Sequence, residues 1–238
     1  MTSANRLRIQ IFADGADLAA ITTLTKDPLV SGFTTNPTLM RRSGVKDYVS
    51  FARQALQVVT QKPISFEVFS DDFDEMEQQA FEIASWAENV YVKIPITNTQ
   101  GHAAVRLIRD LSSRGIKVNV TAVMTLRQVR IAAEAIGSGS PSIISVFAGR
   151  IADTGRDPVP LMSAAVALLS DLPNVQLLWA SPRELLNIVQ ADQVGCDIVT
   201  VTNDLLSKLQ LIGKDLDRLS LETVKMFHSD ALEAGFSL

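Results

Sequence analysis

Residues 90–96 read VYVKIPI and place a lysine, Lys93, inside a run that is otherwise apolar or aromatic. Lysine is among the side chains least often fully buried without a partner. Burial in a low-dielectric interior disfavours the charged form, so this amine is expected to be largely neutral and nucleophilic toward carbonyl carbon. The plain alternative is a lysine whose stem packs inside while its head reaches the rim. Schiff-base chemistry needs further groups, to expel water from the carbinolamine and to take and return protons as a carbon–carbon bond breaks. Asp14, Glu67 and Thr121 have the types to hold and activate one water beside Lys93. Glu67 follows Phe66, which would desolvate its charge in part; its plain alternative is a structural ion pair with Lys93.

Two asparagines, Asn36 and Asn119, can hydrogen-bond polyhydroxylated substrates, or merely satisfy loop backbone groups. Arg150, Ser181 and Arg183 have the look of an anion pocket. Arginine grips phosphate bidentately, and Ser181-Pro182-Arg183 is expected to open a helix whose amides favour negative charge. A surface arginine with a capping serine is the alternative for Arg183, and Arg156 either shares the work or is a solvated loop charge. Other features carry less. His102 and His228 have no metal-ligand spacing. Asp71, Asp72 and Asp74 lack the glycine of a calcium loop and read as a helix start. Cys196 precedes a strand and reads as packing.

The elements that must position these groups alternate along the chain. Strands are expected near 8–13, 30–34, 64–68, 90–94, 117–121, 142–147, 175–180 and 197–201. Several are apolar on both faces, as in parallel strands covered by helices. Helical patterns fall at 16–25, 46–61, 72–87, 99–114, 125–136, 158–171 and 182–193, with a short one after 202. Ser70 is the expected cap of the third of these, Gly115 the stop of the fourth, and Pro158 starts the sixth. Eight strand–helix units without a linker predict a single (β/α)8 TIM barrel, residues 8–206. A doubly wound sheet is the runner-up, but ADGAD has one glycine where a dinucleotide loop needs three. A further C-terminal helix, 214–234, either covers one barrel end or reaches a neighbouring subunit. In a barrel, chemistry sits at the C-terminal strand ends. There this sequence puts Asp14, then Thr35 and Asn36, Glu67, Lys93, Asn119 and Thr121, Ser145, Phe147 and Arg150, and Ser181 with Arg183.

The bulk numbers agree. The 238 residues are 47% hydrophobic and 20% charged, enough for a sizeable core, and the net charge of −4 argues against non-specific nucleic-acid binding. One cysteine leaves no internal disulfide framework and fits a reducing compartment. No apolar run approaches the roughly 18–20 residues of a membrane span. The start, MTSANRLRIQIFADGAD, lacks the apolar core and cleavage site of a signal peptide, so a cytoplasmic location is expected.

The segments GFTTNPTLM (32–40), ISFEV (64–68), VYVKIPIT (90–97), KVNVTAV (117–123), SVFAGRIAD (145–153) and WASPREL (179–185) together resemble the transaldolase family. The likeness is strongest to its small microbial members, which include fructose-6-phosphate aldolases, and runs in order through residues 9–206. It implies a class I aldol mechanism with Lys93 forming the imine and Asp14, Glu67 and Thr121 handling water and protons. It further implies that Asn36, Asn119 and Ser145 hold a dihydroxyacetone portion, and that Arg150, Ser181 and Arg183 bind the distal hydroxyl and phosphate of a sugar phosphate. No metal or organic cofactor is implied. The resemblance also implies a homo-oligomer, a ring of five or ten subunits, with the C-terminal helix on a neighbour.

Two positions discriminate within the family. Fructose-6-phosphate aldolases carry glutamine where this chain has Glu67, and tyrosine where it has Phe147. Both differences favour transfer to an aldehyde over release of free dihydroxyacetone. Departures at ADGAD and at Pro182, where the family has phenylalanine, touch the substrate rim and leave a sulfonated sugar open. The competing readings are therefore a dihydroxyacetone-releasing aldolase and, in another class, a non-catalytic sugar-phosphate binding protein.

Overall fold

A computed structural model describes residues 7–236; part of the N-terminal stretch read for a signal segment lies outside that range. Eight parallel strands close into one barrel in sequence order. They are β1 Gln10–Asp14, β2 Val30–Thr34, β3 Ile64–Glu67, β4 Val90–Pro95, β5 Val118–Val123, β6 Ser142–Val146, β7 Val175–Trp179 and β8 Ile198–Val201. Closure is made by β1 on β8, with Phe12 opposite Thr200. The chain is thus a (β/α)8 barrel, as its alternating pattern predicts.

Side chains alternate between the two faces of each strand. Outward-facing Ile64, Val92, Val118, Val120, Ile144 and Leu177 join the large core between barrel and helices. Phe12, Ile143, Leu178, Ala180 and Ile198 form a second, smaller cluster that fills the barrel. Gly32 makes that filling possible: a Cβ there would stand 2.6 Å from Phe12 Cζ. The plug of apolar side chains leaves the opposite end of the barrel for polar groups.

The helices are α1 Leu18–Leu24, α2 Pro37–Arg42, α3 Tyr48–Val58, α4 Phe73–Ala84, α5 Val105–Ser113, α6 Leu126–Ile136, α7 Ala148–Ala152, α8 Val159–Leu169, α9 Leu185–Val194, α10 Asn203–Leu206 and α11 Leu216–Glu233. Four points depart from expectation. Helix α4 is capped by Asp72, whose side chain accepts from Asp74 and Glu75, while Ser70 accepts from Asp72 N and donates to Glu75. Helix α5 begins at Val105 rather than 99. The residues before it form a turn around Gly101, φ +82°, with Asn98 Oδ1 accepting from Gln100 and His102. Short α7 follows β6 directly, too brief to show a helical period. Helix α11 buries none of its residues against this barrel, so it does not cover a barrel end. Among the described residues no helix is long and apolar enough to cross a membrane.

Candidate active site

A cavity of about 310 Å³ opens at the C-terminal ends of the strands. Glu67, Lys93 and Asn119 are consecutive register partners on β3, β4 and β5, so one row of the sheet carries all three. Lys93 is only 6% exposed and its Nζ faces the cavity. It donates to the Thr35 carbonyl at 2.8 Å and lies 3.2 Å from Glu67 Oε2. The Glu67–Lys93 ion pair, set out above as the plain alternative, is formed. It is formed inside the cavity, where both groups can also meet a substrate.

Across the cavity, Asp14 Oδ1 accepts from Thr34 Oγ1 at 2.8 Å, and the Thr34 hydroxyl also touches that of Thr200. Burial pushes the Asp14 carboxyl above the ordinary aspartate value, although the Lys93 charge and the Thr34 hydrogen bond oppose the rise. A carboxyl so placed holds its proton more tightly than an exposed one. Thr121 also lines the cavity, and its buried Oγ1 has no hydrogen-bond partner. Buried hydroxyls are nearly always paired, so this one is suited to an incoming water or substrate oxygen. Beside it β5 carries one extra residue, with its register against β6 shifting between Val120 and Val123, and Ala122 takes φ +60° in the cavity wall.

The remaining expected groups divide. Asn36 lines the cavity, yet its Oδ1 caps α2 by accepting from Leu39, which leaves the amide hydrogens for a ligand. Ser145 lines the cavity and donates to Asn119 Oδ1 at 2.7 Å; Asn119 in turn donates to Ser65 Oγ. Asn119 itself is fully buried behind Ser145, outside the cavity lining, and so holds Ser145 rather than facing the opening. Thr35 is likewise buried and outside the lining, with its hydroxyl donating to Ser65 O and its carbonyl serving Lys93. Phe147 and Arg150 both line the wall, the guanidinium standing 5.0 Å from the ring centroid. Among the described residues Arg150 has no carboxylate within ion-pair distance.

Arg183 departs from expectation. Both its Nε and its Nη2 donate to Asp153, at the C-terminus of α7, and it lies outside the cavity lining. Nor do Ser181 and Arg183 open a helix: α9 starts at Leu185, and Asn187 Oδ1 accepts from the amides of Arg183 and Glu184. Ser181 does line the cavity, at φ +58°. Gly149 of α7 permits this, since a Cβ there would stand 1.5 Å from Ser181 O. Two non-glycine residues with positive φ, Ala122 and Ser181, thus flank the same opening, where strain concentrates at functional sites.

Among the lining residues, sequence reasoning missed Thr34, Thr200 and Ala122. Counting in twos would have found the two threonines, which follow Gly32 and Ile198 on the inner faces. Elsewhere, Cys196 is buried with its thiol pushed up by burial to about 12, as packing rather than chemistry requires.

Comparisons with known proteins bear on the family and the fold. A family model described as transaldolase/fructose-6-phosphate aldolase matches residues 11–238. A "Probable transaldolase" of Dehalococcoides mccartyi is 35% identical over 202 residues, covering 84% of this chain and 90% of the relative. One from Thermoanaerobacter sp. is 31% identical over 231 residues, covering 97% of this chain and all of the relative. Among solved structures, orotidine 5'-monophosphate decarboxylase from Metallosphaera sedula superposes with TM-score 0.55 at 12% identity, covering 88% of this chain and 98% of its own. At that identity the likeness speaks for the barrel alone.

Proposed function

The chain belongs to the transaldolase/fructose-6-phosphate aldolase family, and within it we propose a class I transaldolase that moves a dihydroxyacetone unit between sugar phosphates. The observation that carries this reading is the cavity-facing Lys93 Nζ, 3.2 Å from Glu67 Oε2 and sharing its cavity with the unpartnered Thr121 hydroxyl.

The steps follow from the groups. Glu67 accepts a proton from the Lys93 ammonium, freeing the nitrogen lone pair to attack the ketone carbon of fructose 6-phosphate. The carbinolamine then loses its oxygen as water, with Glu67 returning the proton and Thr121 orienting the departing water. In the resulting iminium the nitrogen is an electron sink. Asp14 takes the proton of the C4 hydroxyl, the C3–C4 bond breaks, and its electron pair forms an enamine while an aldose phosphate leaves. A second aldose phosphate accepts the enamine carbon at its aldehyde and takes the proton back from Asp14. Water then releases the new ketose and Lys93. The raised Asp14 pKa suits a group that both takes and gives a proton.

In this reading Asn36 and Ser145, both in the cavity lining, hold the dihydroxyacetone oxygens, with Asn119 orienting Ser145 through its hydrogen bond. In the same reading Arg150 and Ser181, also in the lining, bind the phosphate end. Phe147 offers no hydroxyl to protonate the enamine, so the three-carbon unit waits for an acceptor rather than leaving as dihydroxyacetone. The enzyme is further proposed to work in the cytoplasm as a homo-oligomer. Helix α11 exposes Leu216, Val224, Phe227 and Leu232 and fits a neighbouring subunit, as in the five- or ten-membered rings that the resemblance implies.

Borohydride reduction in the presence of fructose 6-phosphate tests the reading. The expected product carries the reduced ketose adduct on the Lys93 peptide, and a Lys93→Met variant carries none. An unmodified Lys93 peptide after trapping at saturating sugar overturns the mechanism.

A further inference from the structure

Strand β2 pairs with β3 through only two register positions, Phe33 with Ile64 and Thr34 with Ser65, before Asn36-Pro37 turns it into α2. The last rung of that ladder is Thr35 N–H donating to Ser65 O. In a regular parallel ladder the next rung would be Glu67 N–H donating to Thr35 O. That rung is absent. The Thr35 carbonyl accepts Lys93 Nζ instead, and Glu67 N–H donates to Tyr48 Oη at 2.8 Å. The phenol also donates to Glu67 O at 2.7 Å, so one hydroxyl satisfies both backbone groups of Glu67.

From this exchange of partners we infer that Tyr48 is a positioning residue for the Lys93–Glu67 pair. It takes the place of a strand at the end of β3, which leaves the Thr35 carbonyl to the lysine and sets the direction from which the Glu67 side chain meets it. Tyr48 suits the task. It stands at the first position of α3, after the Asp47 cap, with its ring edge-on to Phe66 and Phe69 and beside Trp86. Burial pushes its hydroxyl pKa up, so the phenol stays a donor across the physiological range. Without the hydroxyl, Glu67 N–H would be a buried donor lacking a partner, and the nearest remedy is to reclaim Thr35 O. Lys93 would then lose its carbonyl acceptor and Glu67 would shift from it.

The inference rests on the catalytic reading of Lys93 and Glu67, so the test has one arm that needs no turnover. That arm is the rate at which pyridoxal 5'-phosphate and borohydride label Lys93, read by peptide mass. The other arm is transfer from fructose 6-phosphate to an aldose phosphate. For Tyr48→Phe the expected result is a kcat about tenfold lower, a KM within about twofold, and faster Lys93 labelling, because the ammonium has lost an acceptor. Trp86→Phe, which loosens the same aromatic cluster but keeps the phenol, is expected to leave kcat and labelling close to wild type. If Tyr48→Phe matches wild type in kcat and labelling, or if Trp86→Phe suffers the same loss, the inference is overturned. Should Tyr48→Phe not fold, hydrogen exchange in the wild type decides: a protected Glu67 amide supports the clamp, and a freely exchanging one overturns it. A wild type that neither transfers nor traps a sugar, beside a Tyr48→Phe with faster labelling, would remove the transaldolase reading and keep the positioning role.

Discussion

Asp14 and Thr34 face each other across the β1–β2 pair, and the Thr34 hydroxyl donates to the Asp14 carboxylate at 2.8 Å. That bond does not offset the burial of the carboxyl, whose pKa stays raised. A raised folded-state pKa means that the native protein holds the proton more tightly than the unfolded chain does. The contribution to stability is present below the ordinary aspartate value of 3.8 and is lost as pH rises through the folded-state value. At neutral pH the burial of this carboxyl therefore counts against the fold. Asp14→Asn is expected to melt a few degrees higher than wild type at pH 7.5, with the gap closing as pH falls toward 3.8, while kcat drops about a hundredfold or more. Calorimetry across pH beside a transfer assay checks both. A variant less stable than wild type at pH 7.5 contradicts the assignment.

Thr121 Oγ1 is buried without a partner, so its removal costs no hydrogen bond within the protein. Thr121→Val should leave the melting temperature within a few degrees and lower kcat about ten- to a hundredfold. Single-turnover imine formation, followed by borohydride quenching, should account for the loss. Imine formation at the wild-type rate would remove Thr121 from the dehydration step.

Phe147 lines the cavity wall and Glu67 its floor beside Lys93. The double variant Glu67→Gln, Phe147→Tyr is expected to raise the ratio of dihydroxyacetone release to transfer, since a phenol can protonate the enamine carbon before an acceptor arrives. The measurement is free dihydroxyacetone with and without an aldose phosphate. An unchanged ratio means that partitioning is set elsewhere.

Arg150 faces the cavity with its guanidinium uncommitted to a carboxylate among the described residues, whereas Arg183 is held by Asp153. Loss of an arginine that grips phosphate removes a charge-assisted, bidentate contact. Arg150→Ala should raise KM for fructose 6-phosphate about tenfold or more, and Arg183→Ala by less than about threefold. The reverse order would show that Arg183 leaves Asp153 when substrate binds.

How much of this was legible beforehand depended on the range of each interaction. The strands were visible because buried parallel strands are apolar on both faces, a property of neighbouring residues, and β2 and β7 fall where composition puts them. The sequence suggests a helix from 99, whereas α5 starts at Val105, because the turn made by Asn98 around Gly101 has the polar residues of a helix's first turn. At the site, Lys93 declared itself by being a charged residue in an apolar strand. The pairing of Arg183 did not, since its carboxylate, Asp153, lies 30 positions away, just past α7.

The sequence by itself determined the barrel, the end at which its polar side chains gather, and the buried lysine among them, because periodicity and the oddity of a buried charge are local properties. Only the tertiary structure decided which polar groups meet. It paired Thr34 with Thr200 through barrel closure, Arg183 with Asp153, and Tyr48 with the backbone of Glu67. Each of these needs two distant segments brought within hydrogen-bond reach, and a bond only a few ångströms long is set by how the sheet closes and where each loop turns.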